Sequence, residues 1–323
     1  MFTDRFFAFL GLFIAIVIVS FAAIFTKISE QELSANATIF DRYSIALIVL
    51  VIAQGVGTIV QRIQWRRNWE TETFEVRPFE AVWQRQYERR DIYLFLGEGV
   101  LGLSCVWLWA ISLTQTSVAN SNLLHNLTPI FTALGGILFF KESLDRRFLL
   151  GLGFALIATL GLQWQDWQLS PTYLWGDLLA LLSAVFYAAG FLVREKLRQK
   201  FSTSTVLFWN CVCRSFLALM IILAIGDEIV PLSRSGWIAV LGLGVLVQLL
   251  GHGLLTYSLK HLSASFATLC LLLDPIITAI LAWISFGEQL NFTHGIAFLG
   301  VLFGIYLAAT SSRSLQPAQI EDS

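Results

Sequence analysis

Asp274 is the sharpest candidate for a functional side chain in this sequence, because it stands inside a long apolar run and directly before Pro275. A proline removes one backbone hydrogen-bond donor and bends a helix. An acid beside such a bend is suited to bind an amine or a proton. The alternative is a structural role for Asp274, in which its protonated carboxyl hydrogen-bonds a backbone group that the proline leaves without a partner.

A second set of polar residues surrounds another proline. Its members are spaced i, i+3, i+4 and i+7, which places them on one face of a helix. They are Asn122, His125, Asn126 and Pro129. Amides need partners in an apolar environment, so this face is predicted to point into a bundle, where it either lines a cavity or joins helices. His125 adds a ring that titrates near neutral pH, although a lone histidine is more often simply hydrogen-bonded.

Two further groups extend the candidate site. Gln248, His252 and Thr256 recur every four residues and are predicted to share one helical face. Glu98 stands within the sequence GEGVLG, where it either lines an inner vestibule or reaches the membrane surface. These residues add an amide, a second imidazole and a second acid to the predicted solute site.

Arg42 and Arg214 are cations inside apolar runs. A guanidinium offers a planar fork of donors that suits a carboxylate or a phosphate. The competing interpretation, which we favour for both, is pairing with protein acids, for which Asp41 and Asp177 are available.

Aromatic residues near these positions also have two interpretations. Trp107 and Tyr257 are suited to form walls of a cavity that binds a solute or a cation. Such rings also gather at membrane interfaces because they are amphipathic. Metal binding is not expected, because the four cysteines fall within apolar runs without ligand spacing; they are Cys105, Cys211, Cys213 and Cys270.

All these residues must be positioned by membrane helices. The chain is 56% hydrophobic and only 13% charged, and its mean hydropathy is +0.71. About 20 residues of helix span the hydrocarbon layer, and continuous apolar runs of that length argue against the alternating pattern of a membrane barrel. Ten runs lie approximately at 6–26, 35–60, 91–113, 117–140, 148–166, 174–194, 203–226, 236–258, 263–286 and 292–311. The predicted fold class is an all-α membrane protein with ten transmembrane helices.

The distribution of cations predicts the orientation. Short loops rich in Lys and Arg stay cytoplasmic. With ten spans, one side collects all of the 21 lysines and arginines except Lys27, Arg42, Arg214 and Arg234. Both termini are therefore predicted to be cytoplasmic, in a multi-pass protein of the cell (inner) membrane.

The sequence repeats itself. Residues 110–142 align without a gap on residues 256–288 and share 11 of 33 positions, including Pro129 with Pro275 and Glu142 with Glu288. The chain is therefore predicted to contain two five-helix units. Because five is odd, the second unit crosses the membrane in the opposite sense, and such inverted repeats underlie alternating access in transporters.

These motifs resemble a known family. The phrase R-x3-A-L in the second span of each unit and the phrase L-x-P-I-x-T-A…E-x-L along the fourth are similar to the EamA family of the drug/metabolite transporter superfamily. The resemblance implies transport of small metabolites such as amino acids, with the fourth and ninth helices forming much of a central cavity. It also implies that Pro129, Glu142, Pro275 and Glu288 occupy structural positions of the repeat.

The predicted organisation is a first unit at 1–166, a second at 167–311 and a cytoplasmic tail at 312–323. A loop at 61–90 departs from the family pattern, and its seven arginines and helical spacing of aromatics predict a short amphipathic helix on the inner leaflet. Docking of a cytoplasmic partner is the alternative. Nucleic-acid binding has no other support.

The predicted function is a secondary transporter, most simply an exporter, of a small metabolite such as an amino acid or amine. Proton coupling or downhill flow of solute would drive it, because the sequence has no P-loop for ATP and no other cofactor motif. The alternative is a membrane scaffold or sensor that retains the fold. An enzyme is not expected, because no nucleophile and base are spaced for catalysis. Close glycine pairs, including Gly300 and Gly304, favour packing within a monomer.

Overall fold

The computed structural model describes residues 2–67, 86–163, 173–286 and 292–311, and every regular element in those ranges is helical. The α-helices, in chain order, are α1 (Phe2–Ser29), α2 (Ala35–Arg67), α3 (Arg89–Gln115), α4 (Val118–His125), α5 (Thr128–Phe140), α6 (Arg146–Gln163), α7 (Leu174–Lys200), α8 (Thr203–Ile225), α9 (Arg234–Leu241), α10 (His252–Ser258), α11 (Ala264–Cys270), α12 (Asp274–Phe286) and α13 (Phe292–Ala309). A π-helical segment, Gly242–Gly251, joins α9 to α10, and a 3-10 turn, Leu271–Leu273, joins α11 to α12. The all-α fold class is confirmed.

The composition of these helices makes the chain a multi-pass membrane protein. Within the described ranges, eight helical stretches are long and apolar enough to cross a bilayer; they are Arg5–Ser29, Ala35–Gly57, Arg89–Gln115, Asn120–Phe140, Leu174–Lys200, Thr203–Ile225, Arg234–Ser258 and Ala264–Leu281. Thr293–Ala309 is a shorter apolar helix. Large apolar side chains on their outer surfaces, such as Leu138 and Leu223, are 73% and 68% exposed. A hydrocarbon environment suits that surface, whereas water does not.

Two of the membrane-crossing stretches are interrupted at aligned positions of the sequence repeat. The first is broken at residues 126–127, between α4 and α5, and the second at Leu271–Leu273, between α11 and α12. Pro129 and Pro275 stand in the first turns of the helices that follow. Proline is tolerated there because the first amides of a helix have no intrahelical acceptor. Both prolines therefore begin new helices within these stretches.

The π-helical segment Gly242–Gly251 changes the geometry of the stretch that carries Gln248 and His252. Extended π-helix is rare, and short π segments often occur at functional sites. The prediction that these two residues share one face assumed a regular α-helix. Four residues are close to one turn of a π-helix as well, so the two side chains stay near one face, and both are buried, at 2% and 7% exposed.

Helices α3 and α7 run antiparallel and define the two ends of the bundle. At one end the Thr116 hydroxyl donates a hydrogen bond to Asp177 at 2.6 Å. At the other end Lys200 Nζ lies 2.7 Å from an Asp91 carboxylate oxygen. We call these the Asp177 end and the Lys200 end.

The Asp177 end ties the connection between α1 and α2 to the connection between α8 and α9. Glu32 accepts hydrogen bonds from the backbone amides of Leu232 and Ser233, each at 3.0 Å. The Ser34 hydroxyl donates to Asp227 at 2.6 Å. At this end, polar contacts therefore join early and late parts of the chain.

The Lys200 end has its own polar contacts between distant segments. Glu195 accepts a hydrogen bond from the backbone amide of Ala264 at 2.8 Å, and the Ser265 hydroxyl donates to Glu142 at 2.8 Å. These contacts fix the start of α11 against α7 and the end of α5.

Helices α6 and α13 pack closely through small residues. A Cβ on Gly304 would lie 2.5 Å from the Gly151 carbonyl oxygen, and a Cβ on Gly300 would lie 2.6 Å from the Ala158 Cβ. Only glycine permits this approach of the two backbones. The glycine pair of the last helix therefore packs within the chain.

Candidate functional site

The centre of the bundle holds a buried carboxylate between two arginines. Glu98, on α3, is 1% exposed. Its Oε1 lies 2.6 Å from Arg194 Nη2 and 2.9 Å from Arg214 Nη2, and its Oε2 accepts a hydrogen bond from Asn210 Nδ2 at 2.5 Å. We call these four residues the Glu98 network. A buried charge is tolerated only when it is paired in this way.

Gly102 and Tyr43 position one arginine of this network. A Cβ on Gly102 would lie 1.7 Å from Arg214 Nη2, so only glycine leaves room for the guanidinium. Arg214 Nη1 donates a hydrogen bond to the Tyr43 hydroxyl at 2.9 Å. The Cζ atoms of Arg214 and Arg42 lie 5.2 Å and 5.6 Å from the centre of the Tyr43 ring. Tyr43 therefore connects the Glu98 network to Arg42.

Arg42 is paired with a neutral residue. Its Nε donates a hydrogen bond to the side-chain oxygen of Gln248 at 3.1 Å. His252, at the start of α10, lies within electrostatic range of Arg42, Arg194 and Arg214. Its Nδ1 is buried and has no hydrogen-bond partner among the described residues. Three cations therefore lie within electrostatic range of a histidine whose Nδ1 has no partner in the described part of the chain.

His125 belongs to an aromatic group beside these charges. Its Nδ1 lies 2.8 Å from the Ser183 hydroxyl of α7. Its ring centre is 5.4 Å from that of Tyr187 and 6.1 Å from that of Trp109. This group gives the centre of the bundle one wall of aromatic rings.

Asp274 approaches the same region from α12. Its Oδ1 accepts a hydrogen bond from the Ser20 hydroxyl of α1 at 2.6 Å. Tyr187 lies within electrostatic range of Asp274, Arg42 and Arg194. The acid and the cations therefore lie near one tyrosine, which identifies the polar centre of the bundle.

The two asparagines of the predicted face lie at the first helix interruption. Asn126 ends α4, and its backbone amide donates a hydrogen bond to the Asn122 carbonyl at 2.9 Å. Both residues are half-buried. The interruption after Asn126 means that the predicted face does not continue unbroken to Pro129.

Trp107 and Tyr257 lie apart from the residues at the centre. Trp107 is 40% exposed, and its Nε1 donates a hydrogen bond to the Asn36 side chain at 3.2 Å, near the Asp177 end. The Tyr257 ring is half-buried and lies 5.8 Å from the His261 ring, towards the Lys200 end. Among the described residues, neither side chain has a hydrogen bond or a ring contact with the Glu98 network.

Two buried arginines were not predicted from the sequence; they are Arg194 at the centre and Arg198 closer to the Lys200 end. Arg194 and Arg198 were expected in a cytoplasmic loop, but α7 continues to Lys200 and both side chains are only 4% exposed. Arg198 Nε donates to the Thr256 carbonyl at 2.9 Å. Arg194 and Arg198 follow Tyr187 at i+7 and i+11, which places all three on one face of a helix. This spacing could have predicted that α7 continues and that both arginines face the bundle.

The acid that pairs with Arg214 also differs from the expected one. Asp177 accepts hydrogen bonds from Thr116 at 2.6 Å and Asn120 at 3.2 Å. The ion pair of Arg214 is formed with Glu98 instead. The sequence favoured a structural ion pair for Arg214. The structure has such a pair, but the acid is Glu98 on α3, which is distant in the sequence and was not among the acids named as candidates.

Comparison with known proteins identifies the family. The model of the EamA-like transporter family matches residues 6–164 and 174–310, which is nearly the whole chain. The chain belongs to the EamA-like transporter family. The family and the relatives described below are named as transporters, not enzymes, so this EamA-like protein is a membrane-embedded transporter of small-molecule solutes.

Curated relatives are distant in sequence. An uncharacterized transporter of Archaeoglobus fulgidus is 25% identical over 213 residues, which cover 66% of this chain and 75% of the relative. The pseudopaline exporter CntI of Pseudomonas aeruginosa is 26% identical over 205 residues, which cover 62% of this chain and 69% of the relative. One protein of known crystal structure matches the fold with a TM-score of 0.76 at 18% identity, over 96% of this chain and 100% of that protein.

Proposed function

We propose that this EamA-like protein is a secondary transporter that exports a small metabolite, such as an amino acid or an amine, by alternating access around a cavity at the midplane of the membrane. The observation that carries the proposal is the pair of interrupted helices, α4–α5 and α11–α12, broken at aligned positions. Discontinuous helices at equivalent positions of two repeats commonly form the solute site of secondary transporters.

The proposal includes ten spans in two inverted units, 1–166 and 167–311, followed by a tail at 312–323 outside the described residues. Two separate matches of the family model, at 6–164 and 174–310, support this division. The close packing of α6 against α13 supports treating them as the fifth and tenth spans.

We assign the Lys200 end to the cytoplasm of a cell (inner) membrane protein, with both termini on that side. Cations of the described loops and helix ends support this orientation, because they gather at the Lys200 end; they are Arg90, Lys141, Arg146, Arg147, Lys196, Lys200 and Lys260. Lys27 and Arg234 lie at the Asp177 end. The amphipathic helix predicted within the loop at 61–90 lies largely outside the described residues.

A solute with one positive and one negative end fits this centre, since Asp274, Arg42 and Arg194 all lie within electrostatic range of Tyr187. An amino acid has such ends. Export is supported by the relative named as a pseudopaline exporter. Asp274 is the proposed site of proton coupling, with downhill flow of solute as the alternative driving force. The packing of Gly300 and Gly304 within the chain supports a monomer.

Cysteine accessibility tests alternating access without knowledge of the solute. The four native cysteines are buried and would be replaced by alanine, and Asn122→Cys would be added at the first helix interruption. A membrane-impermeant maleimide is expected to label this cysteine in both right-side-out and inside-out vesicles. The matched control is Leu223→Cys, at a side chain that is 68% exposed on α8 and faces lipid, which is expected to react from neither side.

Labelling of Asn122→Cys from one side only, or from neither, would contradict the proposal. That result would favour a membrane scaffold or sensor locked in one conformation. Labelling of the control would show that the maleimide enters the lipid, and labelling of Asn122→Cys would then say nothing about the side from which the cysteine is reached.

A further inference from the structure

Arg42 differs from the other two arginines at the centre of the bundle because it has no acid partner. Arg194 and Arg214 share Glu98 at 2.6 Å and 2.9 Å. Among the described residues, no carboxylate lies within ion-pair distance of Arg42, and its sequence neighbour Asp41 makes no ion pair with it. A membrane-embedded cation normally faces a partner or a solute pathway.

The charge balance at the centre is positive. Three guanidinium groups, those of Arg42, Arg194 and Arg214, lie within electrostatic range of His252, while Glu98 and Asp274 supply two carboxylates to the centre. In a low-dielectric interior such an excess is costly unless an anion offsets it. A negatively charged group from the solute would supply that compensation.

The surroundings of Arg42 also suit a ligand. Gln248 accepts a hydrogen bond from Arg42 Nε at 3.1 Å, and the Tyr43 ring centre lies 5.6 Å from the Arg42 Cζ. These contacts fix the side chain, and its two terminal nitrogens have no hydrogen-bond partner among the described residues. His252 adds a second, independent feature, since it is 7% exposed and its Nδ1 has no hydrogen-bond partner among the described residues. Buried polar atoms in native proteins are normally satisfied, so an unsatisfied one points to a ligand.

We propose that Arg42, Gln248 and His252 form the binding site for the carboxylate group of the transported solute. The two terminal nitrogens of the guanidinium match the two carboxylate oxygens in a bidentate pair. A neutral His252 protonated at Nδ1 adds a further hydrogen-bond donor.

This inference rests on the proposed function and narrows the class of solute. A carboxylate is required, so simple amines are excluded as substrates. Asp274 lies within electrostatic range of Tyr187, as Arg42 does, and supplies an acid for a positively charged group of the solute. The solute class is therefore carboxylic acids, with amino acids preferred among them.

Two matched series of compounds test the proposal on the full-length protein in detergent. The first is phenylalanine, phenylalanine amide, 3-phenylpropionate and phenethylamine, and the second is alanine, alanine amide, propionate and ethylamine. Binding measured by calorimetry is expected for the amino acid, more weakly for the acid, and not for the amide or the amine. Binding by the amines alone, equal binding by acid and amide, or no binding by any carboxylate would overturn the proposal.

Variants of Arg42 locate the binding site. Arg42→Gln is expected to weaken carboxylate binding on the order of 30-fold or more, because truncating one partner of a buried charge pair carries a cost of that size. Arg42→Lys keeps the charge without the planar fork and is expected to fall between Arg42→Gln and the native protein. Should Arg42→Gln fail to fold, Gln248→Leu provides the second test, with a weakening on the order of tenfold expected from the freed guanidinium. Unchanged binding in a folded variant would overturn the proposal.

The cysteine test separates the two proposals. If Asn122→Cys reacts from both sides while amines bind and carboxylates do not, the transporter stands and the carboxylate site fails. If the cysteine reacts from one side only, alternating access fails whichever compound binds.

Discussion

The Glu98 network supports the sharpest stability prediction. Glu98→Gln keeps the size of the side chain and removes the negative charge shared by Arg194 and Arg214, whose nitrogens lie 2.6 Å and 2.9 Å from Oε1. Removing one partner of a buried ion pair costs about 3–5 kcal/mol, because the remaining charges stay buried and uncompensated. We expect a loss of that size in the free energy of unfolding.

The matched control is Glu88→Gln, at the residue that precedes α3, the helix that carries Glu98. Glu88 pairs with Lys200 at 2.8 Å, but its side chain is 74% exposed, so solvent screens the pair. An exposed pair contributes about 0–1 kcal/mol. Both variants remove one carboxylate charge; they differ in burial, and Glu88 is also the N-cap residue of α3.

The assay is unfolding in mixed micelles with increasing SDS, followed by tryptophan fluorescence. The double variant Glu98→Gln with Arg194→Gln is expected to lose less than the sum of the single variants, because the second change removes a charge that the first left unpaired. If Glu98→Gln loses less than about 1 kcal/mol, as the exposed control does, the reasoning about the buried network is wrong.

Two further predictions concern the space beside Gly102 and the pH dependence of the free energy of unfolding. Gly102→Ala places a Cβ 1.7 Å from Arg214 Nη2 and is expected to cost about 1–3 kcal/mol by overpacking, whereas Gly97→Ala, which meets nothing within 4 Å, is expected to cost nothing in the same unfolding assay. Burial raises the pKa of Glu142 above its ordinary value, so the folded state holds its proton more tightly than the unfolded one, and stability falls as pH rises from about 4.3 through the raised pKa. Glu142→Gln should remove that fall. Asp227→Asn is the control of opposite sign, because hydrogen bonds from Ser34 and Asn36 lower the pKa of Asp227 and its contribution is lost as pH falls.

The fold class followed directly from the sequence because membrane helices are the simplest elements to predict. Apolar length alone identifies them, since the backbone must satisfy its own hydrogen bonds in lipid. The boundaries were less certain. Helix α7 continues past Arg194 to Lys200. The sequence predicted a loop there, because these residues are polar, although they pack on neighbouring helices.

The candidate site was predicted in part. Spacing identified His125, Gln248 and His252, because polar residues in apolar runs are few and expensive. The partners of Glu98 were not predictable, since Arg194 and Arg214 approach it from helices 96 and 116 residues away in the chain. The π-helical segment was also missed, because no composition rule distinguishes it from a regular helix.

The most direct test of the central claim is transport by the purified protein in liposomes loaded with labelled phenylalanine. We expect saturable efflux that accelerates when the pH is lower outside, because exchange of protons for solute would drive it. Asp274→Asn is expected to lose the effect of the pH gradient and to keep exchange of labelled for unlabelled solute. Absence of both efflux and exchange, for phenylalanine and for the other carboxylates of the two series, would contradict the claim that this EamA-like protein carries such solutes across the membrane.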